Sequence, residues 1–234
     1  MNWQDLIKYS SVQMAGLDEQ GNPIGIGSGC LLDIGDHRLL LTVFHVVNDS
    51  SSWCVPIRFD ELEQKTEVLF LNQFNHIYDL NEDKSGMVNV EFSFHPVRAT
   101  LKLFTSKRER NPKVDEIIEI PVLKETDIGE PNRTVRYGFS GNIRAEYHPD
   151  VGAFFTDNHI YHGLEYIRTE NNLHVFKMPD AHPGHEYFKG CSGAPIIGED
   201  GRVVSLVSSG SIEKKEIYGA TLSKCIRTLN QYLR

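Results

Sequence analysis

The sequence predicts an all-β chain that ends in one α-helix, and three observations carry the prediction. Apolar residues fall in short runs rich in β-branched and aromatic side chains, each bounded by Gly, Asn, Asp or Pro, as in "GIGSGCLLDIG", "HRLLLTVF", "VNVEFSFHPV" and "RVVSLVSSG". Short strands with turns at that spacing build sandwiches or barrels. The last segment changes period: Leu222, Cys225, Ile226, Leu229 and Leu233 recur at helical spacing, a stripe expected to lie against the barrel surface. Between them, "FTSKRERNPKVDE" (104–116) is charged, poor in apolar residues and broken by Pro112, and it reads as a solvated connector between two halves. A short helical turn over Trp3 to Lys8 is the other departure from strand.

A chain of 234 residues, 40% of them hydrophobic, can bury one large core or two smaller ones packed together. The formal net charge is −8 with both signs interspersed, which argues against nucleic acid or an anionic membrane as a partner. The longest apolar run, "LLLTVFHVV" (Leu39 to Val47), is far shorter than the roughly 18 residues of a membrane span. The N-terminal "MNWQDLIKYSS" lacks the apolar stretch of a secretory signal, so a cytoplasmic location is expected. Cys30, Cys54, Cys191 and Cys225 contain no CxxC pair and read as reduced thiols.

The stretch "FKGCSGAPI" (Phe188 to Ile196) holds two adjacent nucleophiles, Cys191 and Ser192, between glycines. A serine hydroxyl is a poor nucleophile at neutral pH. It needs a histidine to take its proton, a carboxylate to hold that imidazole, and backbone N–H donors where the oxyanion forms. Glycines on both sides allow the sharp turn that presents such donors. A plain β-turn explains "GCSG" equally well by itself. His45, where the apolar strand "LLLTVF" ends, reads as structural when taken alone.

Together, "GSGC" (Gly27 to Cys30), "LTVFH" (Leu41 to His45), "YGF" (Tyr137 to Phe139), "GCSGAP" (Gly190 to Pro195), "VVSLVSSG" (Val203 to Gly210) and "IYGATL" (Ile217 to Leu222) resemble, in order and spacing, the trypsin-like, chymotrypsin-fold serine peptidases. The resemblance implies two six-stranded antiparallel β-barrels with a C-terminal helix: residues 1–104 and 119–221 as barrels, 105–118 as connector, 222–234 as helix. It makes Ser192 the nucleophile, His45 the general base and then acid, and the backbone N–H groups of Gly190 and Ser192 the oxyanion donors. Ser192 rather than Cys191 takes the nucleophile's place because it directly precedes Gly193, which leaves Cys191 as a small packed side chain. Cysteine before the nucleophile also cannot form the ion pair of trypsinogen-style activation.

The third member departs from the family pattern. Where an aspartate is usual, "VEFSF" puts Glu91, which can accept the imidazole N–H but carries an extra methylene and an extra rotatable bond. Asp79 and, more distantly, Asp83 are the competing acids. For the specificity pocket, the resemblance assigns one wall to "HPGHEYFK", with Glu186 and Lys189, and the other to Val207, Ser208, Ser209 and Gly210. Glu186 stands six residues before Ser192, where trypsin carries the acid that selects basic side chains, so a preference for Lys or Arg follows.

Rival sites carry less. Ser140 in "YGFSGN" has no Gly-x-Pro after it and reads as a turn, and the HxxH pairs His159/His162 and His182/His185 lack the companion ligands of a metal site. The expected activity is hydrolysis of a peptide or protein substrate without metal or cofactor, a general esterase being a variant of the same chemistry, with room for a regulatory protein partner. The alternative is a catalytically inactive domain of the same fold that binds a peptide or partner in its cleft.

Overall fold

The computed structural model describes residues 2–48, 50, 52–60, 65–80, 86–107, 116–148, 153–181, 184 and 188–233. Helix α1 (Trp3–Tyr9) opens the chain, capped by the Asn2 side chain, which accepts from the Asp5 N–H at 2.9 Å. Strands β1 (Val12–Leu17), β2 (Pro23–Ile34) and β3 (His37–Thr42) follow, then a single helical turn α2 (Phe44–Val47). After it come β4 (Ser52–Asp60), β5 (Lys65–Leu71), β6 (Asn75–Leu80) and β7 (Met87–Val97). These strands form a sheet in the order β5-β4-β1-β2-β3-β7-β6. β10 (Leu123–Lys124) joins it in parallel beside β2, making eight strands. Among the described residues the first half is thus a curled sheet, standing in the place of the first of the two expected barrels.

The second half closes. β11 (Arg136–His148), β12 (Ala153–Glu170), β13 (Leu173–Lys177), β14 (Pro195–Gly198), β15 (Val203–Ser211) and β16 (Glu216–Thr221) form a barrel in the cyclic order β11-β12-β13-β16-β15-β14, every neighbour antiparallel. Its interior is filled by Tyr137, Phe139, Phe176, Ile196, Val204 and Ile217 among others. Helix α3 (Leu222–Tyr232) ends the chain and buries Leu222, Cys225, Ile226 and Leu229, the stripe its spacing marks. That stripe packs into the core of the first half together with Ile197, Val203, Leu206 and Ala220 from the barrel, so one apolar cluster spans both halves. Burying such side chains contributes about 1.5–3 kcal/mol each, which makes α3 a weld between the halves.

The stretch read as a solvated connector between the halves takes in two short strands, β8 (Phe104–Lys107) and β9 (Glu116–Glu119), which pair from Phe104↔Glu119 to Lys107↔Glu116. The charged residues concealed two short β-runs, "FTSK" and "EIIE", too brief to stand out by period. Ser140 lies inside β11, not in a turn; fully buried, it donates to Asn158 Oδ1 at 2.6 Å.

One buried group gives the barrel a pH dependence. His174 on β13 is 2% exposed and has Nδ1 2.7 Å from Thr169 Oγ1. Burial lowers its pKa below the ordinary 6.5, against a smaller opposing effect of Glu130. The folded protein therefore keeps the imidazole neutral in a range where the unfolded chain already takes up a proton. The stability tied to this group is complete above about pH 6.5 and is lost as pH falls through that value toward the lowered folded one. Thermal unfolding measured from pH 7 to pH 5 should show Tm falling, and His174→Gln should flatten the slope; equal slopes would remove His174 as the cause.

Candidate active site

His45 sits one residue into α2, not on the strand that leads to it. β3 stops at Thr42, Val43 is extended with φ −98°, and the chain then makes one helical turn. That turn is held by Val46 and Val47, both buried, and Gly27 makes room for it: a Cβ there would lie 2.5 Å from Val46 Cγ1. His45 is left partly exposed, and its Nδ1 lies 2.9 Å from Glu91 Oε2. An ionised carboxylate can only accept, so Nδ1 carries the proton and Nε2 is left as the basic nitrogen.

Glu91 reaches His45 from an irregular point in β7. Between the pairs His76↔Ser93 and Tyr78↔Asn89, Ile77 alone stands opposite Val90, Glu91 and Phe92, which is a β-bulge. Within it Glu91 takes the left-handed φ of +58°. The competing Asp79 is engaged elsewhere: its carboxylate pairs with Lys224 on α3, which holds it below the usual carboxylate range. Lys224 also donates to Asn172 Oδ1 at 3.0 Å. Asp83 lies outside the described residues.

Ser192 is presented by a turn with two left-handed glycines, Gly190 at φ +102° and Gly193 at φ +91°. The turn is stitched on both sides. Cys191 N–H donates to Phe188 O at 2.9 Å and Ala194 N–H to Cys191 O at 3.0 Å. Gly193 N–H donates to Val207 O at 2.7 Å. From the other half, Ser28 N–H donates to Ser192 O and Ser28 Oγ to Gly190 O, each at 2.7 Å. Thr42 Oγ1 donates in turn to Ser28 O at 2.7 Å. Ser28 and Thr42, both fully buried, thus tie the serine turn to the half that carries His45 and Glu91. Sequence reasoning did not assign them this part; the signal was the small polar residue in the otherwise apolar "GSGC" and "LTVFH".

Among the described residues, the N–H groups of Gly190 and Ser192 donate to no backbone oxygen. The Ser192 hydroxyl donates to Ser208 O at 3.3 Å, and it forms no hydrogen bond with His45. Val207 and Ser208 are buried on β15, and Ser209 and Gly210 continue it past a register shift between Val207 and Ser209. Lys189 is exposed in the turn that leads to Gly190. Phe188 packs against Tyr161 at 4.6 Å between ring centroids. Glu186 and the pair His182/His185 lie outside the described residues. His159 and His162 project to opposite faces of β12, the first against Tyr161 and the second against Trp3, so their spacing does not bring them together.

Cys191 is fully buried, packed against the bare Cα of Gly141, and burial pushes its pKa up to about 12. Cys30 and Cys225 are likewise raised to about 12. A thiol with that pKa is almost wholly protonated at neutral pH and inert. Native protein treated with iodoacetamide at pH 8 should therefore alkylate first at the part-buried Cys54, and at Cys191 only after denaturation, as peptide mass spectrometry would read. Early modification of Cys191 would contradict its burial.

No family model matches the chain, and no curated protein sequence does. Solved structures do resemble it. A serine endoprotease from Yersinia pestis superposes on 97% of this chain with a TM-score of 0.57 at 12% identity, and this chain spans 64% of the length of that one. A protease from M. tuberculosis in its active form is matched over 97% of this chain and 82% of its own, with a TM-score of 0.48 at 13% identity. Tobacco etch virus protease complexed with product is matched over 95% and 76%, with a TM-score of 0.48 at 12% identity. With the topology above, the Yersinia pestis match establishes the two-barrel chymotrypsin fold, one barrel closed and the other a curled sheet.

Proposed function

We propose that the chain is a serine endopeptidase that cleaves a peptide or protein substrate through an acyl-enzyme. The observation that carries this reading is the His45 Nδ1–Glu91 Oε2 hydrogen bond of 2.9 Å in a fold where Ser192 stands on a glycine turn bonded to the same half. Glu91 holds the imidazole in the tautomer whose Nε2 can accept a proton and stabilises the imidazolium that results. Ser192 Oγ attacks the carbonyl carbon and its proton passes to His45 Nε2. The new oxyanion is met by the N–H groups of Gly190 and Ser192, donors worth about 2.7–4 kcal/mol each in such sites. His45 then protonates the leaving amine, and water, deprotonated by the same nitrogen, releases the acid and restores Ser192.

One observation favours the second reading, a domain that binds a peptide without cleaving it. The Ser192 hydroxyl is bonded to Ser208 O and must exchange that bond for one to His45 before it can react. Catalytic hydrogen bonds commonly tighten only when substrate binds, so this bond alone does not decide against catalysis. A fluorophosphonate probe separates the two readings: wild-type protein should be labelled and Ser192→Ala should not. Well-folded wild type that stays unlabelled would leave the binding reading. Comparing peptide with ester substrates then distinguishes a peptidase from a general esterase, and a peptide library tests the Lys or Arg preference assigned to Glu186.

A further inference from the structure

Glu91 is the one non-glycine residue with a left-handed φ inside a strand among the described residues. The others, Asn171, Asn172 and Lys215, sit in the turns after β12 and β15. Glutamate pays a steric cost in that region, where asparagine and glycine are better tolerated, so something nearby must hold it there. Asn89 supplies the hold. Its Oδ1 accepts the Glu91 N–H at 2.6 Å, an Asx-type bond across two residues inside the bulge. The bond occupies the N–H that the bulge has removed from the strand ladder, and the Asn89 Nδ2 is buried without a hydrogen-bond partner. Asparagine is a poor strand former, and here it is kept in the interior of β7 at the cost of an unpaired amide.

We propose that Asn89 is a positioning residue for the Glu91–His45 pair: by fixing residue 91 in the left-handed conformation, it aims the longer glutamate side chain so that its carboxylate meets His45 Nδ1. The inference rests on the reading of Glu91 as the acid of a Ser-His-acid site. The bulge changes the direction in which the Cα–Cβ bond of residue 91 leaves the strand, and the Asn89 bond keeps that direction from relaxing. Without it, the regular extended conformation becomes the cheaper state for residue 91, and the carboxylate swings off the imidazole.

Two readouts test this. In hydrolysis, Asn89→Ala should lower kcat about 10- to 100-fold with KM unchanged, the loss expected when a catalytic group drifts by around an ångström. Asn89→Ser, which keeps an acceptor oxygen, should recover part of it. In a Glu91→Gln background, Asn89→Ala should change kcat by less than about twofold, because the group it positions is already impaired. The second readout needs no turnover: in the Ser192→Ala protein, the proton NMR signal of His45 Nδ1–H, protected by Glu91, should be lost on adding Asn89→Ala and regained in part with Asn89→Ser. If Asn89→Ala only lowers Tm and leaves kcat and that signal intact, Asn89 is merely structural and the proposal falls. If wild type hydrolyses nothing but the signal still depends on Asn89, the positioning stands and the catalytic reading fails. Should Asn89→Ala not fold, the near-isosteric Asn89→Leu, which also lacks the acceptor, decides: the wild-type intensity in that protein would overturn the proposal, and a weakened one would support it.

Discussion

On the proposed serine-peptidase reading, Ser192→Ala is expected to lower kcat by about a million-fold, as large an effect as any single substitution in this chain, because without the hydroxyl no acyl-enzyme would form. The protein should remain folded. Among the described residues Ser192 Oγ makes one hydrogen bond, a long 3.3 Å donation to Ser208 O, and the stitching of the turn runs through the main chain at Gly190, Cys191, Ser192 and Gly193. Binding of a peptide should be nearly unchanged, so the loss falls on kcat and not on KM. His45→Ala should cost about as much, and the double variant little more, since the two act as a unit in which either loss removes the nucleophile. Purified variants assayed on a peptide substrate, with circular dichroism to confirm folding, would show this. A Ser192→Ala protein that keeps wild-type turnover would mean that the nucleophile lies elsewhere.

Gly193→Ala is expected to be the most damaging substitution for stability. At φ +91° the residue is in the region L side chains avoid, and a Cβ there would be driven into the Ser28 carbonyl oxygen and the Thr42 hydroxyl. Those atoms cannot step aside cheaply, because Thr42 Oγ1 donates to Ser28 O and Ser28 Oγ donates to Gly190 O, all fully buried. Backbone strain, overpacking and the broken hydrogen bonds together cost about 4 kcal/mol or more. For a chain of this size that is a fall in Tm of about 10 °C or loss of soluble protein. Gly25→Ala is the matching control: no atom lies within 4 Å of its Cβ, and Tm should barely move. If Gly193→Ala melts like wild type, the contact between turn and first half is looser than described.

How much of this was legible in the residues varies with the kind of signal. Helix α3 could be read almost to its ends, because an amphipathic stripe repeats over three turns and its spacing is local. Strands such as β2, β3, β7 and β15 stood out where β-branched runs meet turn residues, whereas β6, β12, β13 and β14 did not, and β8 and β9 are only four residues each inside a charged stretch. The glycines around Ser192 announced a sharp turn, and the left-handed φ of Gly190 and Gly193 is what such glycines are for. "LTVFH" announced His45 but not the helical turn that carries it, since four residues give no period.

The competition between Glu91 and Asp79 shows where reading a chain stops. Both are acids in strands of the same hairpin, and nothing local separates them. It takes the partners brought from 46 positions away, His45 for Glu91, and 145 away, Lys224 for Asp79, to put one carboxylate on the imidazole and the other on a lysine. By itself the sequence determined the β-strand alphabet, the closing helix and a glycine-flanked serine, because these follow from backbone sterics and hydrophobic period within a few residues. The closure of the second sheet, the buried Ser28–Thr42 tie across the halves and the left-handed bulge at Glu91 were decided by the tertiary structure alone, because each depends on contacts between segments that only packing brings within hydrogen-bonding distance.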